Sequence, residues 1–286
     1  MTTFDTPTPP SLSVDLAGRA DITIVASNRT DTVVEVRPRS ASRALDARAA
    51  EQVTVDHTDG RVSVKSRSLR LYSWFSDGGA VDVSIQAPIG TEVYAHSGMG
   101  DVRCVGEFGA SELTSAMGTI TAEYMGALHA RTGQGDVNVE RSAGRADITT
   151  GSGKLRIGQI DGDAAVKNGN GDTFIGDVTG ALEVKAANGD IVIDRATSAV
   201  TARASNGSIR VDEAIGGSVT LQAAYGSLEV GVREGSAAWL DLSTKFGQVR
   251  NELDATSEPG DATSTVEIRA RNAYGDITIR RSASSL

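Results

Sequence analysis

Residues 168–172 read NGNGD, and related stretches follow at intervals of 18 residues, as ANGD at 187–190 and SNGS at 205–208. Asparagine, glycine and aspartate in such close spacing occur in three kinds of loop. A glycine-rich loop before a helix binds phosphate through backbone N–H groups, and repeated carboxylates bind calcium. The same residues also form tight turns, because glycine and asparagine adopt backbone conformations that other residues avoid.

A short alternating strand, rather than a helix, follows these stretches. Examples are GDIVI at 189–193 and GSIRV at 207–211, in which apolar and polar residues alternate. A phosphate-binding P-loop requires GxxxxGK[ST] between a strand and a helix, and a dinucleotide fingerprint requires a GxGxxG that opens a helix. Neither pattern is met, so we expect no cofactor.

Calcium-binding nonapeptide repeats are the closest alternative, since two such repeats make up 18 residues. The acid does not recur every nine residues, however, and Thr119, Lys154 and Ser208 take its place in other repeats. Calcium requires several oxygen ligands at each site, which a lysine cannot supply. We therefore expect no metal, with stacked calcium sites as a minor alternative.

The turn glycines define an internal repeat. Those of the regular repeats are separated by 17 to 19 residues: Gly100, Gly118, Gly135, Gly153, Gly171, Gly189, Gly207 and Gly226. A second turn lies about midway, so each repeat holds two short strands, which cannot bury their apolar face alone. Stacked copies can, with strands about 4.8 Å apart. The pattern predicts an all-β, single-stranded β-helix (β-solenoid) with coils of about 18 residues and two strands per coil.

The alternation also predicts which side chains point inward. The inward set in three consecutive units is Leu155, Ile157, Ala164, Val166, Ile175, Leu182, Val184, Ile191, Ile193, Val200 and Ala202. Cys104 falls in an inward column as well, which favours a buried thiol over a nucleophile. At the corners, Asn170, Asn188 and Asn206 occupy equivalent positions, where stacked amides can form a hydrogen-bonded ladder.

The regularity of the repeat divides the chain. We expect residues 1–11 to form a disordered tail, residues 12–88 an irregular N-terminal β region that caps the solenoid, and residues 89–286 the regular coils with a C-terminal cap. Helix formers at 40–50 predict one short helix or turn in the N-terminal region. The alternating strands of that region are predicted at 31–38, 51–57, 60–66 and 80–88.

Residues that could support catalysis are few and scattered. His57, His96 and His129 have no metalloprotease spacing and no acid–nucleophile partner, so surface strand positions are expected. Asp194 and Asp212 lie one coil apart and could act as paired acids in a carbohydrate-active β-helix, but a solvated acidic flank explains them equally well. We expect a chain without enzymatic activity.

Aromatic residues concentrate in two places. Tyr72, Trp74 and Phe75 lie in one loop, RLYSWFSDGG at 70–79, where we expect them to pack on the solenoid or to contact a partner. In the late coils the corner column becomes aromatic. Its aromatic residues, together with a nearby tryptophan, are Tyr225, Phe246, Tyr274 and Trp239, for which terminal packing is favoured over a ligand-binding stack.

Charge and composition exclude several partners. The net charge of −9 and the pI near 4.9 argue against nucleic-acid and anionic membrane surfaces. The single cysteine excludes an internal disulfide. No segment has the 18 or so apolar residues of a membrane span, and MTTFDTPTPPSL has no secretory h-region. We expect a cytoplasmic protein with an unidentified protein partner and no membrane insertion. A homo-oligomer is also compatible with the sequence.

The repeat units also carry a family resemblance. NGDIVI and TGSGKLRI, preceded by DTVVEVRP and DGRVSVKS, resemble the bacterial β-strand-repeat proteins catalogued as putative adhesins of unknown function. The likeness extends from about residue 12 to residue 280. It implies a single-stranded β-helix of either hand, usually non-enzymatic, with relatives near regulators or envelope-stress genes. Members with a signal peptide or anchor lie at the cell surface, and the family supplies no catalytic residues.

These observations favour a non-catalytic β-solenoid that acts as a scaffold or protein-interaction module, linked through the resemblance to envelope stress or regulation. Two alternatives stay open. One is a self-assembling, filament-forming protein, since each end of a solenoid is a template for another. The other is a carbohydrate-binding or adhesin-like β-helix.

Overall fold

The computed structural model describes residues 1–66, 79–253 and 264–282. These residues contain 26 strands and one helix. Most strands pair in parallel with the strand two places further along the chain, so that consecutive strands alternate between the two sides of a coil. The predicted all-β solenoid with two strands per coil is therefore confirmed. The chain forms two compact units, Met1–Ala143 and Gly144–Leu286, each described by itself below.

The first unit contains the helix and the irregular strands. Its elements are β1 (Thr2–Asp5), β2 (Ser11–Ser27), β3 (Asp31–Pro38), α1 (Ala44–Glu51), β4 (Val53–Thr58), β5 (Arg61–Ser66), β6 (Ala80–Pro88), β7 (Glu92–Met99), β8 (Val102–Phe108), β9 (Ser111–Met117), β10 (Ile120–Met125), β11 (Leu128–Gln134) and β12 (Val137–Ser142). The strands predicted in the N-terminal region and the helix predicted at 40–50 agree with these bounds.

The N-terminal end of this unit departs from the parallel pattern. Strand β3 pairs antiparallel with β6, β1 adds antiparallel to β3, and β4 pairs antiparallel with β5. The expected disordered tail at residues 1–11 is therefore wrong for Thr2–Asp5, which form β1. The physical reason is the edge of β3, whose backbone groups would otherwise lack strand partners. Threonine and phenylalanine in β1 are good strand formers that suit this place.

Helix α1 is held in the unit by a buried carboxylate. Asp46 is 2% exposed, and its two oxygens accept hydrogen bonds from the backbone N–H groups of Ser40 at 3.1 Å and Ala80 at 2.9 Å. One side chain thus binds backbone N–H groups at the start of the loop between β3 and α1 and at the start of β6. A buried carboxylate is stable when its oxygens are hydrogen-bonded in this way.

The second unit contains the most regular coils. Its strands are β13 (Ala146–Ser152), β14 (Leu155–Ile160), β15 (Ala164–Asn170), β16 (Thr173–Val178), β17 (Leu182–Asn188), β18 (Ile191–Ala196), β19 (Val200–Asn206), β20 (Ile209–Ala214), β21 (Gly217–Tyr225), β22 (Leu228–Val232), β23 (Ser236–Phe246), β24 (Val249–Asn251), β25 (Ser264–Tyr274) and β26 (Ile277–Arg281). All of the inward residues predicted for residues 155–202 are at most 6% exposed, so that core prediction is confirmed.

The last coil of the second unit is out of chain order. Strand β25 pairs with β21 on one side and β23 on the other, and β26 likewise lies between β22 and β24. The chain thus completes the coil of β23 and β24 and then returns to insert β25 and β26 beneath it. In the described residues, β23 and β24 are therefore the edge strands at this end.

The corners explain why Asn, Gly and Asp recur. Seven of the eight turn glycines, all except Gly118, have φ between +119° and +152°, a region that favours glycine. At Gly189 a Cβ would also collide with the carbonyl oxygen of Gly171, one coil away. The aspartates bond along the stack: the Ser208 N–H donates to Asp190 at 2.7 Å, and the Asp190 N–H donates to Asp172 at 3.3 Å.

No helix of the described residues is long and apolar enough to cross a membrane.

Candidate interaction surface at the C-terminal coils

One corner column of the second unit changes character along its length. Asn170, Asn188 and Asn206 are register partners in successive coils. The column continues from Asn206 to Tyr225, then to Tyr274 and finally to Phe246 at the edge. Amides therefore occupy one part of the column, and aromatic rings occupy the part nearest the C-terminal edge.

The asparagine part is a hydrogen-bonded ladder. The Asn188 side-chain amide donates to Oδ1 of Asn170 at 2.7 Å, and the Asn206 amide donates to Oδ1 of Asn188 at 2.9 Å. The register places these side chains directly above one another, so each amide meets the next without distortion. All three side chains are exposed, and the ladder therefore links the corners of successive coils on their solvent-exposed side.

The aromatic part, here called the aromatic column, consists of Tyr225, Tyr274 and Phe246. The rings of Tyr225 and Tyr274 stack at a centroid distance of 4.9 Å and an angle of 5°, and those of Phe246 and Tyr274 at 4.8 Å and 11°. The side chains are 55%, 45% and 61% exposed in the order Tyr225, Tyr274, Phe246. The expected terminal packing is thus limited to the rings themselves, whose edges face solvent.

The stacking restricts what the aromatic column can bind. Both faces of Tyr274 are covered by its neighbours, and Tyr225 and Phe246 each use one face in the stack. A sugar ring binds by lying flat on a free aromatic face, whereas a protein surface can also pack against ring edges. The geometry favours a packed partner surface over a flat ligand.

Trp239 adds a second exposed aromatic side chain on β23. It is 54% exposed, and the guanidinium of Arg269 lies 5.9 Å from its ring centroid, within the range of a cation–π contact. Arg269 in turn pairs with Glu267 at 2.5 Å. These contacts hold the indole ring against β25 while most of the side chain stays in solvent.

The core of the solenoid is open at β23. Leu240 and Leu242 are partly exposed, although their register partners Ile268 and Ala270 in β25 are completely buried. On the adjacent edge strand β24, Val249 is 45% exposed. Among the described residues, no further strand covers this end. The aromatic column, Trp239 and these apolar residues therefore form one region, here called the C-terminal surface.

Comparison with known proteins places this architecture. The model of the family described as Toastrack DUF4097 matches residues 11–283. The chain belongs to the Toastrack DUF4097 family. This match covers both compact units of the Toastrack chain. It agrees with the resemblance noted in the sequence, and no curated protein matches.

Three solved structures are similar over almost their whole length. A putative adhesin from Parabacteroides distasonis ATCC 8503 is 12% identical, with 97% of this chain and 96% of that chain covered and a TM-score of 0.29. A putative cell adhesion protein from Clostridium sporogenes ATCC 15579 is 9% identical, with 98% and 99% covered and a TM-score of 0.18. A putative adhesin from Parabacteroides merdae ATCC 43184 is 13% identical, with 97% and 95% covered and a TM-score of 0.27.

The aromatic loop is predicted to pack on the solenoid or to contact a partner. Tyr72, Trp74 and Phe75 lie outside the described residues.

The single thiol and the histidines occupy structural places. Cys104 is completely buried in β8, and burial raises the pKa of its thiol to about 12, so the group stays protonated and inert at neutral pH. His96 and His129 point outward from strands β7 and β11, and the His57 ring packs against Phe4 at 5.2 Å.

The pair Asp194 and Asp212 belongs to a charged flank that also contains arginines. Asp212 accepts from Arg210 at 3.2 Å and Arg280 at 3.4 Å, and Arg280 also binds Glu229 at 2.6 Å. Burial raises the pKa of Asp194, and the neighbouring carboxylate of Asp212 adds to the rise. The flank is therefore a network of ion pairs, in which arginines accompany the acidic residues that the sequence predicts.

Calcium would have to compete with hydrogen bonds that the corners already make. The carboxylates of Asp172 and Asp190 accept from backbone N–H groups of the next coil. In residues 1–66, 79–253 and 264–282, no group of three or more His, Cys, Asp or Glu side chains could hold a metal ion.

Proposed function

We propose that this chain is a non-catalytic protein-interaction module that binds its partner through the C-terminal surface. The observation that carries the proposal is the convergence of Trp239, Phe246 and Val249, all large and exposed, on a strand edge that has no partner within the described residues. Aromatic residues are enriched at the centres of protein interfaces. A free strand edge offers backbone groups that a partner can pair with by adding a strand.

The placement of the reactive side chains supports a role without chemistry. The Cys104 thiol is buried and protonated, and the corner aspartates are bound to backbone N–H groups. Asp212 is paired with two arginines, Arg210 and Arg280. These side chains take part in the packing, hydrogen bonds and ion pairs of the coils, and a scaffold requires no further chemistry from them.

A carbohydrate-binding role is less well supported by the same surface. Sugars are usually held by a free aromatic face beside hydrogen-bonding side chains, whereas the stack covers both faces of Tyr274 and one face each of Tyr225 and Phe246. Trp239 has its indole close to Arg269. We therefore propose a protein rather than a glycan as the partner.

The test is a comparison of two double variants of the full chain in affinity capture from extracts of the source cells. Trp239→Ser with Phe246→Ser removes two aromatic side chains of the C-terminal surface that are 54% and 61% exposed. The matched control is Tyr94→Ser with Tyr124→Ser, which removes two aromatic side chains of the first unit that are 42% and 47% exposed. Captured proteins are identified and quantified by mass spectrometry, with soluble and membrane fractions kept apart.

The proposal predicts that the first variant loses the partners captured by the unmodified chain, while the control variant keeps them. Equal losses in both variants, or no loss in either, would show that the captured proteins do not bind specifically to the C-terminal surface. The fold of each variant is checked by circular dichroism, since all four substitutions lie on the surface and should leave it intact.

A further inference from the structure

We propose that the free edge of β23 pairs antiparallel with β23 of a second copy of this chain, so that the chain is a two-fold symmetric dimer. This inference rests on the proposed function and names the partner of the C-terminal surface. It commits to a second copy because the edge is complementary to itself in length, polarity and charge.

The edge itself is long and poorly protected. Strand β23 has 11 residues and contains no proline, and within the described residues it pairs only with β25. Natural proteins protect edge strands by making them short, by inserting proline or a bulge, or by pointing charges inward. Strand β23 is long, contains no proline and has the apolar inward residues Leu240 and Leu242. Its protection therefore rests on the outward charges of Asp241 and Lys245. Pairing with another strand would cover both the backbone groups and these side chains.

The charges select one register. The outward side of β23 carries Asp241, Ser243 and Lys245. Asp241 also lies 3.5 Å from the guanidinium of Arg271 on β25. An antiparallel pair centred on Ser243 places Asp241 opposite the partner's Lys245, and by symmetry Lys245 opposite the partner's Asp241. A centre at Asp241 or at Lys245 would instead oppose two like charges, which is unfavourable. The centre at Ser243 is therefore the complementary one, with Leu240 facing the partner's Phe246 on the other side of the strand.

Self-pairing of this edge gives a closed dimer rather than a filament. A two-fold contact uses the same patch on both copies and is complete at two. A filament would need the other end of the solenoid to offer a matching edge. That end carries the much shorter edge strands β1, with four residues, and β4, with six.

The first experiment places a cysteine on the two-fold axis of the full chain. In the proposed register, Ser243→Cys brings two thiols face to face at the Cα separation of a cross-strand pair, which a disulfide can span. Cys104 does not interfere, because it is completely buried. The control is Ser205→Cys, which is also exposed but lies on β19 in the middle of the unit. We expect mild oxidation to give a covalent dimer of Ser243→Cys and to leave Ser205→Cys as single chains.

The second experiment exchanges the charges and measures the dimer by sedimentation at several concentrations. Asp241→Lys and Lys245→Asp each place like charges opposite one another twice, and each should weaken the dimer about tenfold. The double variant restores both opposite pairs and should recover most of the lost affinity. If Asp241 and Lys245 do not face each other across the dimer, the losses of the two single variants should add in the double variant. Melting temperatures of the variants check that the fold is unchanged.

Three outcomes would overturn the dimer: an unmodified chain that stays monomeric at all concentrations, cross-linking of Ser205→Cys as fast as Ser243→Cys, or assemblies that grow beyond two copies. These outcomes are separable from the proposed function. If the dimer fails while capture of other proteins still depends on Trp239 and Phe246, the C-terminal surface binds a different partner. If both fail, it is not an interface.

Discussion

The two ends of the chain finish the same kind of coil differently. At the N-terminal end the strands reverse direction, with β1 on β3 and β4 on β5, and the core residues Leu12 and Val64 nearby are completely buried. At the C-terminal end β23 and β24 keep the parallel direction. There Leu240 and Leu242 stay partly exposed, beside three stacked rings that face solvent.

The difference indicates that one end contributes mainly to stability, whereas the other is available for binding. A stack of coils exposes backbone groups and apolar side chains at each end, and both cost free energy when left in water. The N-terminal end covers part of them with its own hairpins and helix, although Val53 and Val55 on its edge strand β4 stay partly exposed. The C-terminal end leaves them available, which is useful only where something binds. Variants that act on one end and spare the other test this contrast.

The largest expected effect compares one leucine from each end. Leu12→Ala should lower the free energy of unfolding by about 3 kcal/mol, because it leaves a cavity among fully buried neighbours. Leu240→Ala should cost only about 1 kcal/mol, because part of the side chain is already in water. Urea unfolding followed by circular dichroism at low protein concentration measures both. Equal losses would show that the C-terminal core is as closed as the N-terminal core.

The second effect concerns the carboxylate that anchors helix α1. Asp46→Ala leaves the N–H groups of Ser40 and Ala80 without their acceptors and should cost about 2–3 kcal/mol. Amide exchange should rise in α1 and at the start of β6, and it should stay unchanged in β23. The exposed neighbour Arg48→Ala serves as a control for helix substitutions, with an expected change below about 0.5 kcal/mol. A loss no larger than that of the control would mean that Asp46 does not hold the cap.

The third effect compares the two halves of the corner column. Tyr274→Ser removes two ring stacks and should cost about 1–2 kcal/mol. Asn188→Ala breaks two exposed amide bonds and should cost about 0.5–1 kcal/mol. Thermal unfolding of the two variants ranks them. If Asn188→Ala lowered the stability more than Tyr274→Ser, the aromatic residues would serve binding rather than stability.

The smallest effect is a pH dependence at the N-terminal end. The hydrogen bond from Arg29 lowers the pKa of Asp31. A lowered pKa in the folded state stabilises the fold above the unfolded value of about 3.9, and this contribution is lost as the pH falls through the lowered pKa. Asp31→Asn should therefore melt slightly below the unmodified chain at pH 7, and the gap should narrow as the pH falls below about 3.9. Asp56→Asn, on exposed β4, controls for the loss of one charge; a gap that persists at low pH would contradict the assignment.

The spacing of the glycines was enough to predict the coils and the core. A backbone with a fixed repeat forces equivalent residues into columns, so Ile191, Ile193 and Val200 could be assigned to the interior from alternation alone. The asparagine positions follow from the same register. These predictions depend only on local periodicity, which a single sequence carries.

Features that depend on which strand lies beside which could not be predicted in this way. The pairing of β1 with β3 and the insertion of β25 between β21 and β23 are contacts between distant segments. The exposed edge of β23 follows from that insertion, and chain order alone would have made β25 the edge. The signal available in the sequence was the replacement of Asn–Gly by Tyr–Gly and Phe–Gly in the corner column, together with Trp239 at an outward position.

The open C-terminal end is tested most directly by hydrogen–deuterium exchange of the full chain at a low and a high protein concentration. We predict that the amides of β23 and β24 exchange rapidly at low concentration and gain protection at high concentration, while those of β4 and β25 do not change. Protection of β23 that equals that of β25 and does not depend on concentration would contradict an open, binding edge.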